Sequence, residues 1–270
     1  VNKTVVGAPI ACFYGWKTAG IMTEADFNED GSPKVPVFSS GSTYTPGDMK
    51  FVDVNGDGVI DDSDRTFIGN PNPDFYYGFN INMEYKGFDL SMFFQGVAGN
   101  EIYDVTKYFR YSNVAYNGVW ENLNYLSYSN VAKDYFDKVW RPVPDPANPS
   151  YRDHWGANLN GTVPLPSSDG TKNEMNFRNS DFYIQDGSYL RLKNIQLGYT
   201  FPKKWVNKLS VSNLRVYASA TNLFTITSYD GLDPEVGKTS GQESNNLYLG
   251  IDQGVYPQAR SYMFGVIIDF

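Results

Sequence analysis

The chain has 270 residues and a formal net charge of −8, and charged residues make up only 19% of it. This acidic balance argues against nucleic acid, or an anionic lipid surface, as the main partner. Aromatic residues are frequent, at 16%, although a mean hydropathy of −0.42 is that of a polar chain. A soluble protein with a large core could combine these properties, and so could a transmembrane β-barrel.

The cysteine content and the longest apolar runs exclude a disulfide-rich protein and a membrane-spanning helix. Cys12 is the single cysteine, so the chain contains no intrachain disulfide framework. No run approaches the ~18 apolar residues that a membrane-spanning helix needs, and no signal peptide is visible at the start. Because the chain begins with Val1 rather than Met, we expect it to be processed or to be a piece of a longer protein.

Apolar and polar residues alternate with a period of two at several places, which predicts antiparallel strands. Lys86 and Gly87 separate the first two strands and predict a tight hairpin. Residues 189–194 are a less regular approach to the third strand. The five predicted strands cover residues 75–85, 88–95, 195–201, 213–224 and 262–270.

The lengths of the connections suggest how these strands are arranged. Short turns follow Tyr85 and Phe201, whereas residues 96–187 and 225–258 are long and polar. Outer-membrane barrels have short periplasmic turns and long external loops. If the last strand runs down to the periplasm, both short turns are periplasmic and both long loops are external. Residues 1–73 then form a third external region.

The sequence therefore predicts an all-β fold, namely a segment of an antiparallel transmembrane β-barrel. Its parts are an external region at 1–73, a wall hairpin at 74–95, a long external loop at 96–187 and three further wall strands at 188–270. A soluble β-sandwich is the alternative, because its strands also have one apolar face. The barrel wall is favoured because the polar faces carry Gly, Asn, Gln, Ser and Thr rather than many charges, and because the apolar faces are rich in aromatics.

The stretch DVNGDGVIDDSD, residues 53–64, has the spacing of a calcium-binding loop. Calcium prefers several hard oxygen ligands around one point. The alternative is an acidic turn held by its own Asx hydrogen bonds. A sensor role is disfavoured because prolines and a strand follow the loop, so that no exiting helix is present. The expected calcium ligands are Asp53, Asn55, Asp57, Asp61, Asp64 and the backbone carbonyl of Val59.

Sequence motifs for catalysis are absent, and we expect no enzyme activity. His154 is the only histidine and no P-loop or GxSxG motif occurs. The long loop is rich in aromatic residues, whose rings stack on sugars and bind peptide side chains. The alternative is that these rings form the loop's own core, as a short helical stretch at 133–140 would do with Tyr135, Phe136 and Trp140. The candidates for contact with a substrate or partner are Tyr103, Tyr108, Tyr111, Trp120, Trp140 and Trp155.

Several blocks resemble the C-terminal part of the SusC/RagA-type TonB-dependent outer-membrane transporters. They occur in the order found in that family and span nearly the whole chain. The longest is residues 53–104, which begins DVNGDGVIDDSDRTFIGNPNPDFYYGF. The others are FYGWKTAGIM (13–22), SYLRLKNIQLGYTFP (188–202), LRVYASATNLFTIT (214–227), GLDPEV (231–236) and GVYPQARSYMFGVIIDF (254–270).

The resemblance implies a bacterial outer-membrane importer of oligosaccharides or peptides, with a barrel of about 22 strands and an N-terminal plug. The expected partners are the remaining barrel strands and plug, a SusD-like surface lipoprotein, TonB acting through the missing N-terminal part, and outer-membrane lipid. Five strands would leave two open edges in hydrocarbon, so we expect other strands, on the same or a separate chain, to complete the wall. The competing hypothesis is a soluble, secreted, calcium-stabilised β-sheet module that binds carbohydrate.

Overall fold

The computed structural model describes residues 1–39, 43–112, 132–147, 155–165, 170–207, 211–236 and 248–270. Within these ranges, no helix is long and apolar enough to cross a membrane. The strands are β1 Asn2–Lys3, β2 Cys12–Gly15, β3 Thr18–Ile21, β4 Val37–Phe38, β5 Met49–Phe51, β6 Val59–Ile60, β7 Thr66–Gly69, β8 Phe75–Tyr85, β9 Phe88–Ala98, β10 Glu101–Asp104, β11 Ile184–Asp186, β12 Tyr189–Thr200, β13 Asn213–Thr221, β14 Thr225–Thr227, β15 Ile251–Asp252 and β16 Ser261–Asp269. The α-helices are α1 Thr106–Tyr111, α2 Tyr135–Lys138, α3 Gly170–Asn176 and α4 Lys203–Val206. Short 3-10 helices cover Glu24–Asp26, Asp62–Asp64 and Asp181–Tyr183.

The five long strands form one antiparallel sheet in the order β16-β13-β12-β9-β8, which we call the wall. The short strand β14 pairs with the first residues of β12. These five strands confirm the five that the period of two predicts. The structure lengthens β9 to Ala98 and ends β13 at Thr221, three residues before the predicted end.

The register of the wall gives it two different faces. Residues paired across neighbouring antiparallel strands point to the same side of a sheet. One row joins Met83, Leu90, Leu197, Ala218 and Phe264, all apolar. The adjacent row on the opposite side joins Asn82, Ser91, Gln196, Ser219 and Met263. The wall therefore has an apolar face and a mainly polar face.

The apolar face is open to its surroundings rather than covered by other parts of the described chain. Leu197 is 49% exposed, Phe264 83% and Val266 61%. A soluble β-sandwich would bury such a face against a second sheet. The exposure of whole rows of large apolar side chains favours contact with lipid.

A β-bulge explains why the alternation of residues 189–194 is irregular. Leu192 pairs with Phe94, but the next paired residue, Asn194, lies opposite Phe93, so Lys193 is an extra residue in β12. One inserted residue shifts the period of two by one position. Apolar residues therefore occupy even positions before the bulge and odd positions after it.

The long connections fold into a region with its own cores rather than remaining irregular. Its small sheets include β1-β2-β7, β11-β10-β15 and β3-β5, and the pairs β4-β6 and β10-β15 are parallel. Three clusters of buried residues lie within it, and one of them contains Trp16, Met22, Phe38, Ile60 and Trp140. The period-two pattern did not predict these short elements, because each is too short to show a period.

The predicted helical stretch at 133–140 is reduced to α2. Tyr135 and Trp140 are buried, which confirms their predicted packing into a core. Phe136, in contrast, is 42% exposed and contacts the ring of Trp155 edge-on at 5.1 Å between centroids. The expectation that Phe136 also packs into the core is wrong. Successive residues of a helix lie about 100° apart, so Phe136 falls at the edge of the buried face, where its ring meets Tyr135 edge-on at 5.8 Å between centroids.

We expect opposite outcomes for two neighbouring substitutions in β12, Leu197→Arg and Gln196→Arg. Arginine in the middle of a lipid-facing row costs about 2–4 kcal/mol, whereas the polar face can hydrate it. In the complete protein, L197R should lower the fraction that shows heat-modifiable migration in an electrophoresis gel. Q196R should leave that fraction close to the unsubstituted value. Equal effects of the two substitutions would contradict the assignment of the faces.

Candidate functional site

The polar face of the wall carries an ion pair that spans three strands. Arg215 on β13 donates from Nε and Nη2 to the two carboxylate oxygens of Asp89 on β9, at 3.1 and 2.5 Å. Gly198 on the intervening strand β12 leaves room for this contact, because a Cβ there would lie 2.4 Å from Asp89 Oδ1. This two-bond geometry fixes both side chains flat against the polar face.

A second group of charges connects the wall to the connection after β14. Arg191 Nη2 donates to Asp233 Oδ1 at 2.5 Å, and Arg191 Nη1 donates to Glu235 Oε2 at 2.8 Å. Lys193, the extra residue of the bulge, donates to both oxygens of Glu235, at 2.9 and 2.7 Å. We call these four residues the latch. Glu235 therefore accepts from two cations that lie two positions apart in β12, whereas Asp233, within the latch, is paired with Arg191 alone.

Asp233 joins both ends of one connection to the wall. Besides the bond from Arg191, its carboxylate accepts the backbone N–H groups of Glu235 and Gln258, each at 2.9 Å. In sequence, Glu235 lies near the beginning of the connection between β14 and β16, and Gln258 lies shortly before β16. Burial disfavours the charge on Asp233, but these hydrogen bonds outweigh it and keep the pKa of the carboxyl below its ordinary value.

The latch residues were not predicted as functional from the sequence. Arg191 and Asp233 are 42 residues apart, and no local spacing connects them. The only sequence signal was the break in the alternation at Lys193, which marks the bulge.

The aromatic candidates fall into two groups. Tyr103, Tyr111 and Trp140 are each 2% exposed and belong to the cores of the long-loop region. For these three, the structure places the rings where the alternative of a local core expected them. Tyr108 is half-buried and packs against two of these cores, whereas Trp155 is 41% exposed and can reach a ligand. Trp120 lies outside the described residues, as does His154.

The calcium-type loop is held by its own Asx hydrogen bonds. Asp53 accepts the N–H groups of Gly56 and Gly58 at 2.6 and 2.8 Å, and these bonds lower the pKa of its exposed carboxyl. Asp64 is fully buried and accepts the N–H groups of Val54 and Asp61, both at 2.8 Å.

The other loop positions follow the same pattern. Asn55 Oδ1 accepts from Asp57 N at 2.9 Å, Asp57 Oδ1 accepts from Val59 N at 2.9 Å, and Asp61 Oδ1 accepts from Ser63 N at 2.7 Å. In the described part of the chain, no three His, Cys, Asp or Glu side chains are grouped as a metal site requires. Most of these carboxylate oxygens nevertheless accept one N–H and retain a second acceptor position. The donor set therefore suits calcium chemically, and calcium binding stays a prediction.

Comparisons with known proteins agree with this architecture. TonB-dependent receptor P3 of Formosa agariphila is 32% identical over 267 residues, which are 98% of this chain and 22% of the receptor. TonB-dependent receptor SusC of Bacteroides thetaiotaomicron is 29% identical over 226 residues, 83% of this chain and 18% of that receptor. The chain thus spans about a fifth of the length of the curated relatives it matches. No family model matches the chain.

Solved structures show the same fold. The structure described as the RagAB peptide transporter superposes with a TM-score of 0.64, over 98% of this chain and 24% of that chain. The sequences are 20% identical, so this likeness concerns the fold alone.

The antiparallel wall with two distinct faces and the folded region on its long connections define a segment of a transmembrane β-barrel receptor. The chain belongs to the SusC/RagA-type family of TonB-dependent receptors and corresponds to a C-terminal portion of them. The relatives are receptors and not enzymes, in agreement with the expectation of no catalytic activity.

We expect Asp233→Asn to release the connection from the wall. A neutral side chain loses charge-assisted bonds of about 1.5–3 kcal/mol, which corresponds to roughly tenfold or more in local opening. Hydrogen exchange of the complete receptor should therefore accelerate about tenfold at the amides of Glu235 and Gln258. Asp89→Asn breaks a pair within the wall and serves as the control, with both amides unchanged. Unaltered exchange in D233N would contradict the role of Asp233.

The same amides should respond to pH in a defined direction. The folded pKa of Asp233 is below the ordinary value of 3.8, so its stabilisation is complete above the unfolded pKa and is lost as the pH falls through the folded one. After correction for the intrinsic exchange rate, protection of the Gln258 amide should be constant from about pH 5 to 8 and should fall only in stronger acid. A loss of protection near neutral pH would show that another group controls the contact.

Proposed function

We propose that the receptor containing this chain imports oligosaccharides or peptides across the bacterial outer membrane with energy supplied through TonB. The two-faced wall carries this proposal. Its apolar rows suit lipid, and its opposite rows of Asn, Gln, Ser and Thr suit a water-filled lumen. Receptors of this family supply the class of activity, and RagAB is described as a peptide transporter.

The unpaired edges of the wall and the family of the chain indicate which partners the receptor needs. We propose that further barrel strands, on the same or another polypeptide, pair with the outer edges of β8 and β16 to form a barrel of about 22 strands. A plug would occupy the lumen, and TonB would act through an N-terminal part. A SusD-like lipoprotein would cover the external region, where Trp155 and Phe136 lie exposed at the surface.

A soluble, calcium-stabilised carbohydrate-binding module was the alternative. It would have to keep the rows around Leu197 and Phe264 in water. The exposed apolar side chains on the described wall strands extend from Phe75 to Ile268, more than a monomeric soluble protein normally presents. The exposed rows therefore favour the transporter.

Uptake experiments test the transport proposal. A strain without the complete receptor should lose growth on one class of large nutrient, either oligosaccharides or peptides, and should still grow on the corresponding monosaccharides or amino acids. Loss of TonB should give the same phenotype. Growth that continues unchanged on every oligosaccharide and peptide supplied would refute the proposal.

A variant at Trp155 tests the proposed aromatic contact with the cargo. Loss of one stacking ring costs about 0.5–1.5 kcal/mol, so Trp155→Ala should raise the half-saturating cargo concentration roughly threefold to tenfold. Trp155→Phe retains a ring and should restore most of the affinity. If W155A takes up cargo with unchanged affinity, Trp155 is not part of the cargo site.

We also propose that residues 53–64 bind calcium as a structural ion. Support comes from oxygen-bearing side chains at alternate positions, among them the half-buried Asp53 and the exposed Asp57. The ligands would be Asp53, Asn55, Asp57, Asp61, Asp64 and the carbonyl of Val59. The ion would order an external region of the receptor and take no part in transport chemistry.

Calorimetric titration of the EDTA-treated complete receptor tests this assignment. Binding with a dissociation constant of roughly 0.1–1 mM is expected, as in other extracellular calcium modules. Asp53→Asn combined with Asp57→Asn keeps the Asx acceptors but removes two charges, and it should abolish the calcium-dependent heat. Asp62→Asn, next to the ligands but outside the set, should not. Absence of calcium-dependent heat in the unsubstituted receptor would contradict the assignment.

A further inference from the structure

A continuous series of aromatic rings marks the short-turn end of the apolar face. Phe88 contacts Tyr199 with 4.5 Å between ring centroids, and Tyr199 contacts Phe201 at 4.9 Å. Trp205 on α4 extends the series with its ring 6.4 Å from Phe201 and is 60% exposed. Aromatic residues of this kind lie at the level of lipid headgroups in membrane proteins. This end of the face therefore lies at the boundary between hydrocarbon and the periplasmic headgroups.

An apolar groove of about 460 Å³ begins at this ring series and runs between the strands toward β16. The small side chain of Ala218 stands between larger neighbours, which leaves a depression in the row that joins Leu197 to Phe264. The groove is lined on its apolar side by Phe88, Leu197, Tyr199, Val216, Phe264 and Val266.

Three lysines lie beside the mouth of this groove. Lys86 lies in the hairpin turn two residues before Phe88, and Lys203 and Lys204 directly precede Trp205 on α4; all three lysines are exposed. The two turns touch, since Thr200 N donates to the carbonyl of Gly87 at 2.7 Å. The positive charge is local, because the chain as a whole carries −8.

Acidic residues do not neutralise this cluster from within the turns. Residues 86–87 and 201–212 contain no Asp or Glu. The wall acids at this end, Glu84, Asp89 and Asp269, belong to the polar face, where Asp89 is paired with Arg215 and Asp269 accepts from Asn213. Lysine side chains at such a boundary extend their ammonium groups to the headgroup level and keep their carbon chains on apolar surface.

We propose that this surface is a binding site for an anionic phospholipid of the periplasmic leaflet. One acyl chain lies in the groove over Ala218, and the phosphate-bearing headgroup contacts Lys86, Lys203 and Lys204, with Trp205 between them at the interface. The site rests on the proposed placement of the wall in the outer membrane but not on the nature of the cargo. Opposite charge at the headgroup selects an anionic lipid over a zwitterionic one.

Quenching of Trp205 fluorescence by brominated lipid tests the site. The complete receptor is placed in phosphatidylcholine nanodiscs that contain either dibrominated phosphatidylglycerol or dibrominated phosphatidylcholine. The Trp205 signal is the difference between the receptor and its Trp205→Phe variant. Brominated phosphatidylglycerol should associate at least about fivefold more strongly, since one lysine near a membrane surface contributes about that factor.

Separate variants test the lysine cluster and the groove. A triple variant that combines Lys86→Gln, Lys203→Gln and Lys204→Gln should bring the ratio of phosphatidylglycerol to phosphatidylcholine association close to one. The matched control changes the exposed external lysines Lys3, Lys17 and Lys133 to Gln and should keep the full preference. Ala218→Phe fills the groove and should weaken quenching by both brominated lipids to the same extent.

The outcomes that overturn the proposal are distinct from failure of transport. Equal quenching by the two brominated lipids in the unsubstituted receptor would overturn the headgroup contact. A preference for phosphatidylglycerol that persists in the K86Q, K203Q and K204Q combination would also overturn the headgroup contact. Unchanged quenching in A218F would overturn the assignment of the acyl chain to the groove. If neither lipid quenches Trp205, the ring does not face the bilayer and the site is wrong, whatever the receptor imports.

Discussion

Backbone hydrogen bonding in a medium without water is the constraint on which the rest of this structure depends. Inside a bilayer, each unpaired N–H or C=O costs several kcal/mol, so a sheet can span it only if every strand is paired. The three inner strands of the wall, β9, β12 and β13, meet this requirement on both sides. The outer edges of β8 and β16 do not meet it within the described chain, so in a bilayer they require further strands, which we propose complete a closed barrel.

The same constraint separates the chemistry of the wall from that of the region formed by the long connections. In the wall, the ion pair lies on the polar face, where Arg215 reaches Asp89 across the backbone of Gly198. Beyond the membrane the chain can use buried charge freely. Arg191 is 2% exposed and is satisfied by Asp233 and Glu235, so a long connection is fastened to the wall by ion pairs. The bulge at Lys193 lies where the wall meets the region formed by the long connections.

The sequence allowed the wall to be predicted because its pattern is local and repeated. Five long strands with a period of two were found, and a single inserted residue, Lys193, accounts for the only irregular stretch among them. The region on the long connections could not be predicted in the same way. Its strands have two to four residues, and its contacts join distant parts of the chain, such as Trp16 and Trp140 in one core. For that reason Trp140 looked like a candidate for ligand contact from sequence.

The candidate sites show the same division. The latch depends on residues about 40 positions apart, which a single sequence does not connect. The spacing of residues 53–64 is local and visible, yet its Asx hydrogen bonds serve an empty acidic turn as well as a calcium loop, so spacing alone does not decide between them. The aromatic rows of the wall follow directly from alternation, whereas the three lysines at one end of them become a cluster only when the two short turns meet.

The central claim is that this chain is part of a closed barrel wall in the outer membrane. Electron cryomicroscopy of the complete receptor in lipid nanodiscs tests it most directly. The account predicts that β8 and β16 are each hydrogen-bonded along their outer edges to further strands of one barrel, with Leu197 and Phe264 facing the lipid belt. A structure in which these edges are unpaired in water, or in which a second sheet covers that apolar face, would contradict the account.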